Sequence, residues 1–227
     1  MRFLKRGEAP DVLSDFDYTI HNWDDDIKSR HRALIWTSLF SMQGERCAYC
    51  ECSIDKADPD DKHIEHFRQK GNALYKHLTF DWGNLFGSCN DGSRCGRYKD
   101  KSGISSEDII KMDEEDPERF FTFLSNGGIV IKDGLSDAEV RRAELTLQAF
   151  VLNPRRGGVR YERQRVISSH KYLIEEFENI LNEFYNLNDG IDYSDLLAES
   201  LEEYKDKISG QPFTTAIKHV LMRSWRC

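Results

Sequence analysis

Four cysteines fall in two close pairs, Cys47 with Cys50 and Cys89 with Cys95. A Cys-x-x-Cys turn presents two thiolates to one ion, and two such pairs supply the four soft ligands of a tetrahedral zinc. The second pair is wider, with five residues between its cysteines, but the glycine-containing loop Asp91-Gly92-Ser93 allows it to close. Between the pairs stand His63, Glu65 and His66, then Asn84. An imidazole, with an ordinary pKa of about 6.5, can take a proton at neutral pH. A carboxylate beside it can hold a hard cation. On a strand, His63 and Glu65 share one face and His66 takes the other. Cys52 reads as a small buried hydrophobe and Cys227 as an exposed thiol in the tail.

Composition bounds what can position these residues. The chain has 227 residues, 39% hydrophobic and 32% charged, which suits one elaborated globular domain or two small ones. No apolar run approaches the length of a membrane helix. The opening Met-Arg-Phe-Leu-Lys-Arg-Gly-Glu has no apolar core of a secretory signal, so a cytoplasmic setting is expected. Disulfides are rare there, which leaves metal binding as the explanation for the four paired cysteines. The net charge of −8 is unlike that of a protein gripping a duplex alone, because phosphate contacts supply most nucleic-acid affinity. Either a small basic patch suffices or a partner holds the substrate.

Along the chain, an irregular lead over 1–22 precedes a helix predicted for 24–43, stopped by Gly44. Residues 46–54 read as a strand and turn carrying the first cysteine pair, and 62–68 as the second strand of a hairpin. After a loop over 69–82, Asn84 is expected to open a short helix toward Cys89. Ser-Asn-Gly-Gly between Phe120–Leu124 and Ile129–Lys132 predicts a β-hairpin. Ser136 with Glu139 forms a capping-box pattern for a helix to about Val151, stopped by Asn153-Pro154. Five arginines (155, 156, 160, 163 and 165) surround the start of a long helix predicted for 160–187. They suit nucleic acid or a solvated helix start equally. Residues 172–209 carry eleven acids against two lysines, the mark of solvated helix faces. A last helix follows Pro212. No glycine-rich phosphate loop is present, so any ATP chemistry belongs to another chain.

Cys-Ala-Tyr-Cys-Glu, His-Ile-Glu-His-Phe, Asp-Trp-Gly-Asn-Leu-Phe and Cys-Gly-Arg-Tyr-Lys together resemble the zinc-stapled branch of the HNH endonucleases, and more narrowly the PtuB-like nuclease subunits of Septu anti-phage systems. The resemblance covers residues 46–100 and, more faintly, 140–166. It implies an α+β, mainly helical chain: a ββα-metal unit stapled by a four-cysteine zinc site, surrounded by helices and a small β-hairpin. The implied organisation is a helical lead over 1–45, the nuclease core over 46–104, and a partner-binding hairpin and helical region over 105–227.

The same resemblance implies Glu65 as a ligand of a catalytic Mg²⁺ or Mn²⁺, His66 as general base and Asn84 as a brace for the base-bearing loop. His63 is implied as an extra ligand or phosphate contact, with Arg97 and Lys99 on backbone phosphates. The family's last ligand follows the final cysteine, where this chain has Gly96; Asn90 or Asp91 could substitute. Implied partners are an ABC/SMC-like ATPase (PtuA-like) and, in some systems, a retron reverse transcriptase with its nucleic acid. The competing functions are a ribonuclease acting on tRNA or other structured RNA, and a zinc-stabilised binding module without catalysis.

Overall fold

The computed structural model describes residues 1–55, 57–187 and 192–225; Cys227 lies outside them. Helix formation is interrupted early. The Asn22 side chain accepts from the Asp24 amide at 2.9 Å and caps a single turn, α1 (Trp23–Asp26). The chain then becomes extended at Ile27 and restarts as α2 (Ser29–Gln43). The helix expected over 24–43 is therefore two, and the break buries both Trp23 and Ile27. Gly44 ends α2 at φ +67, a left-handed conformation that glycine adopts without steric cost.

Strand β1 (Lys62–His66) pairs antiparallel with β2 (Leu85–Cys89), from Lys62 opposite Cys89 to His66 opposite Leu85. This corrects two expectations. The partner of β1 is not the 46–54 segment, which contributes one isolated bridge, Arg46 with Ser53. Nor does Asn84 open a helix: it closes a 3₁₀ turn (Trp82–Asn84), and the residues after it are a strand. Leu85 to Cys89 is buried at every position. A short surface helix would turn one side to water, whereas a strand covered on both faces can hide a continuous run.

Gly87 is central to that covering. A Cβ there would lie 2.6 Å from Gln43 Nε2 and 2.7 Å from the Trp36 ring. The Gln43 amide accepts from Gly87 N at 2.9 Å and donates to Gly87 O at 2.8 Å, while Ala48 N donates to the same carbonyl at 2.9 Å. The open edge of β2 is thus satisfied by a side chain of α2 and by the first cysteine turn.

The chain divides into two compact units, one of Met1–Phe120 with Ile131–Leu152, the other of Phe121–Val130 with Asn153–Cys227. In the first, Leu13, Trp23, Ile27, Ile35, Leu39, Ile64, Phe80, Trp82 and Leu85 form a core. The irregular lead is pinned to it: Arg6 donates to the Trp82 carbonyl at 2.6 Å and stacks over the Trp82 and Phe86 rings. After β2 come α3 (Cys95–Lys99), the hairpin strands β3 (Phe121–Phe123) and β4 (Ile129–Ile131), and α4 (Asp137–Ala149), whose Ser136–Glu139 capping box forms as predicted.

The second unit packs α5 (Gly158–Ser169), α6 (Lys171–Asn186), α7 (Ser194–Lys207) and α8 (Thr214–Trp225). The helix expected over 160–187 is broken at His170, so it is α5 and α6. Arg163 is no surface arginine. It is 1% exposed, donates to the Gly127 carbonyl in the hairpin turn and stacks over Phe123 and Phe213. The architecture is mixed, mainly helical with two small sheets. No described helix is long and apolar enough to cross a membrane.

Gly87→Ala is expected to lower stability by about 1–3 kcal/mol, the usual cost of overpacking. A urea midpoint unchanged from the parent chain would contradict the close approach of α2 to β2.

Candidate metal centre and catalytic site

The four paired cysteines converge. Cys47 and Cys50 sit in a tight turn closed by Cys47 N to Cys52 O (2.9 Å) and Glu51 N to Cys47 O (3.0 Å). Cys89 ends β2, and Cys95 begins α3 with its amide on the Phe150 carbonyl at 3.0 Å. All four are buried, and their sulfurs lie within 4.8 Å of one another. Zinc–thiolate bonds of about 2.3 Å require such a cluster. Glu51 and Cys95 are both non-glycine residues at positive φ, +67 and +53. Such conformations persist where surrounding structure over-determines them, as a metal bound by four thiolates would. The quartet can hold a metal ion, and its ligand chemistry suits structural zinc. Cys52 is buried beside it but is not one of the four.

The polar residues lie on β1, and alternation sorts them as expected. His63 Nε2 is 3.1 Å from Glu65 Oε2 on one face. His66, on the other, meets the Trp23 ring edge-on with centroids 4.4 Å apart. Its Nε2 is 2.9 Å from the Thr79 carbonyl oxygen. A carbonyl only accepts, so in the neutral ring Nε2 carries the hydrogen and Nδ1 carries the lone pair. Burial pushes the His66 pKa down to about 4, against a smaller raising effect of the Thr79 hydrogen bond. At neutral pH the ring is uncharged and ready to accept a proton.

Asn84 is 1% exposed and accepts from Arg68 N at 2.7 Å. It donates to the carbonyls of Arg68 (2.9 Å) and Leu78 (3.1 Å). It clamps both ends of the loop that delivers Thr79 to His66.

Glu65 is 4% exposed. Burial alone would raise its pKa, but the charge of Lys99 and the hydrogen bonds from His63 and Lys99 outweigh it and leave the carboxyl below its usual range. Lys99 does not present itself for a backbone phosphate. Its ammonium is 3% exposed, 2.6 Å from Glu65 Oε1 and 2.7 Å from the carbonyls of both His66 and Phe67. The sequence implied a backbone-phosphate contact for this lysine; its four-carbon stem instead carries the charge inward to a buried partner.

Gly96 explains the missing helix ligand. A Cβ at this position would meet Glu65 Oε2 at 2.5 Å and Cδ at 2.6 Å. The place where the family's pattern puts an asparagine or histidine is filled by the Glu65 carboxylate. Asn90 is not brought there. It lies four residues along the chain from Phe86, the residue opposite Glu65, about 13 Å at strand spacing. Its side chain donates to Asp60 O at 2.8 Å and accepts from Arg97. Asp91 caps its own turn through Ser93 and pairs with Arg94. Arg97 is exposed.

A Mg²⁺ or Mn²⁺ is commonly held by one or two carboxylates, with water and substrate oxygens completing its shell. Glu65 is such a carboxylate, and in this structure its Oε1 is 2.6 Å from the Lys99 ammonium and its Oε2 is 3.1 Å from His63 Nε2. His63 Nδ1 and Glu65 Oε1, the latter ion-paired with Lys99, are both buried without a hydrogen-bond partner. Among the described residues the cysteine quartet is the group of three or more such side chains that could hold a metal.

Comparison with known proteins agrees with the resemblance carried by the motifs. No protein-family model matches the chain. It is 27% identical over 100 residues to a proposed HNH endonuclease of retron Ec83 from Escherichia coli, covering 34% of this chain and 39% of that protein. It is 32% identical over 93 residues to Septu protein PtuB from Bacillus thuringiensis, covering 40% of this chain and 34% of that protein. The chain therefore spans well under half the length of these curated relatives.

Two outcomes are expected. Elemental analysis of the purified chain should find about one zinc per chain, and Cys47→Ser should lose it together with much of the thermal stability, since structural zinc binding is itself folding free energy. Zinc retained by Cys47→Ser would break the assignment. Gly96→Asn, which restores the family's residue, should destabilise the first unit by at least about 1 kcal/mol by displacing buried Glu65. A variant as stable as the parent in chemical denaturation would show that Glu65 can yield that space.

Proposed function

We propose that this chain is an HNH-type endonuclease, the nuclease subunit of an anti-phage defence complex, with the β1–β2–α3 segment as its catalytic unit. The observation that carries the reading is the Thr79–His66 hydrogen bond, which leaves Nδ1 of a neutral imidazole as the proton acceptor. The names of the two relatives support the reaction class.

In the reaction, water attacks the phosphorus of a phosphodiester. His66 Nδ1 takes its proton, the bond to the leaving oxygen breaks, and that oxygen gains a proton from solvent. Asn84 holds the loop that fixes the His66 tautomer. Lys99 holds the backbone on which His66 sits, through the His66 and Phe67 carbonyls. Exposed Arg97 is available for a backbone phosphate. Glu65 would hold a Mg²⁺ or Mn²⁺, and that cation would supply positive charge to the leaving oxyanion.

The acidic balance of −8 favours a partner that presents the nucleic acid, and an ABC/SMC-like ATPase is the partner the resemblance implies. A second reading, a zinc-stabilised module without catalysis, is favoured by the neutralised Glu65.

With the ATPase partner present, His66→Ala is expected to cut cleavage by about 10²–10⁴-fold while leaving zinc content unchanged, and a lowered but still cooperative melting curve would show that the variant folds without its Trp23 and Thr79 contacts. Parent-level cleavage by that variant would overturn the nuclease reading, and no cleavage of DNA or RNA by either chain would favour the module. Because His66 titrates near pH 4, activity should stay level from pH 7 to pH 5 and fall only as pH drops toward about 4. An acid limb in the rate profile near pH 6.5 would show that His66 is not buried when it acts.

A further inference from the structure

A surface pocket of about 320 Å³ opens beside the Glu65–Lys99 pair, and the reaction above does not use it. It lies between the loop that follows β1 and the segment that follows α3. Phe67, the residue after His66, and Lys99, the partner of Glu65, both belong to its wall. Whatever fills it sits next to the candidate site.

The chemistry of the lining narrows the occupant. Tyr75, Leu74 and Ile104 offer flat and apolar surface, and Leu74 is 73% exposed at the rim, unusually open for a leucine. Gln69, Asn72, Asp100, Ser105 and Ser106 supply the uncharged and acidic polar groups. Gln69 Nε2 donates to the Asp100 carbonyl at 3.0 Å and ties the two walls together. The one cation among the described lining residues, Lys99, is spent: Glu65, the Asp100 carboxylate (3.1 Å) and two main-chain carbonyls surround its ammonium. The pocket therefore has no free positive charge for a phosphate. Its charged feature is the Asp100 carboxylate, 45% exposed, which meets Lys99 through one oxygen and keeps lone pairs to accept further hydrogen bonds.

A pocket with an aromatic wall and an acceptor carboxylate suits a planar group that has an apolar face and a donor edge. Nucleobases have that form when unstacked, and they are read by stacking and by hydrogen bonds to the Watson–Crick edge. Among them guanine presents adjacent N1–H and N2–H donors, the pair that a carboxylate accepts best. The volume is at the lower end of small-ligand pockets, enough for a base.

We propose that this pocket receives an unstacked guanine next to the phosphodiester that is cleaved, so that the chain prefers single-stranded or splayed nucleic acid with guanine at one fixed position. The proposal rests on the nuclease reading for its consequence but can be tested without cleavage.

The zinc-loaded full-length chain is titrated with guanosine, adenosine, cytidine and uridine, followed by NMR. Guanosine should bind saturably and more tightly than the other three, and inorganic phosphate should not displace it. Tyr75→Ala and Asp100→Asn should each weaken guanosine by about tenfold, with melting curves showing that both variants fold; His66→Ala should bind guanosine as the parent does. No saturable binding up to the solubility limit, binding unaltered by both variants, or displacement by phosphate would each overturn the pocket. The two readings fail separately. Guanosine binding without any cleavage removes the nuclease and keeps the pocket. His66-dependent cleavage at sites with no shared guanine removes the pocket's role and keeps the nuclease.

Discussion

Four thiols from three separate segments must meet at one point, and the first unit is arranged around that requirement. The Cys47–Cys50 turn, the end of β2 and the start of α3 are held together there, and two residues accept left-handed backbone conformations to do so. Everything polar at the candidate site inherits its position from this constraint. β2 sets the register of β1, β1 carries His63, Glu65 and His66, and α3 brings Gly96 and Lys99 against Glu65. A tetrahedral metal bound by the four thiolates would tie the short sheet and the five-residue helix together at that point.

Within that frame, the balance at Glu65 is decided by burial. A carboxylate at 4% exposure is costly unless paired. Lys99 pairs with it, and Gly96 leaves it room. The same lysine holds the carbonyls of His66 and Phe67, so the charge that neutralises one residue orients its neighbour. Lys99, the His66 backbone and the Thr79 loop form one connected network, with Asn84 bracing it from the far side of the loop. The net charge of −8 and the commitment of Lys99 to Glu65 both weigh against a basic groove along a phosphate backbone.

Some of this was legible in the order of residues. The cysteine spacing pointed to a four-ligand centre because few other roles need paired thiols, and the alternation along 62–66 put His63 with Glu65 and His66 opposite, as found. Gly44, the Ser136–Glu139 box and the Ser-Asn-Gly-Gly hairpin were readable because caps and turns are local. The Leu85–Cys89 strand was not, since a five-residue apolar run has no period long enough to choose strand over helix. The breaks at Ile27 and His170 were missed because the apolar spacing continues through them, and only packing of the flanking side chains shows where the chain must bend.

The amino-acid order by itself determined the ligand types, the doublet of carboxylate and imidazole, and the acidic surface, because these follow from side-chain chemistry and spacing. Only the tertiary structure decided what each polar residue does. Lys99 reads as a phosphate contact and is buried; Arg163 reads as basic surface and holds a hairpin turn; Gly96 reads as a lost ligand and is the space that Glu65 fills. The physical reason is common to all three. Burial, and with it the strength and sign of each electrostatic contact, depends on neighbours distant in sequence, and those are brought together by the fold.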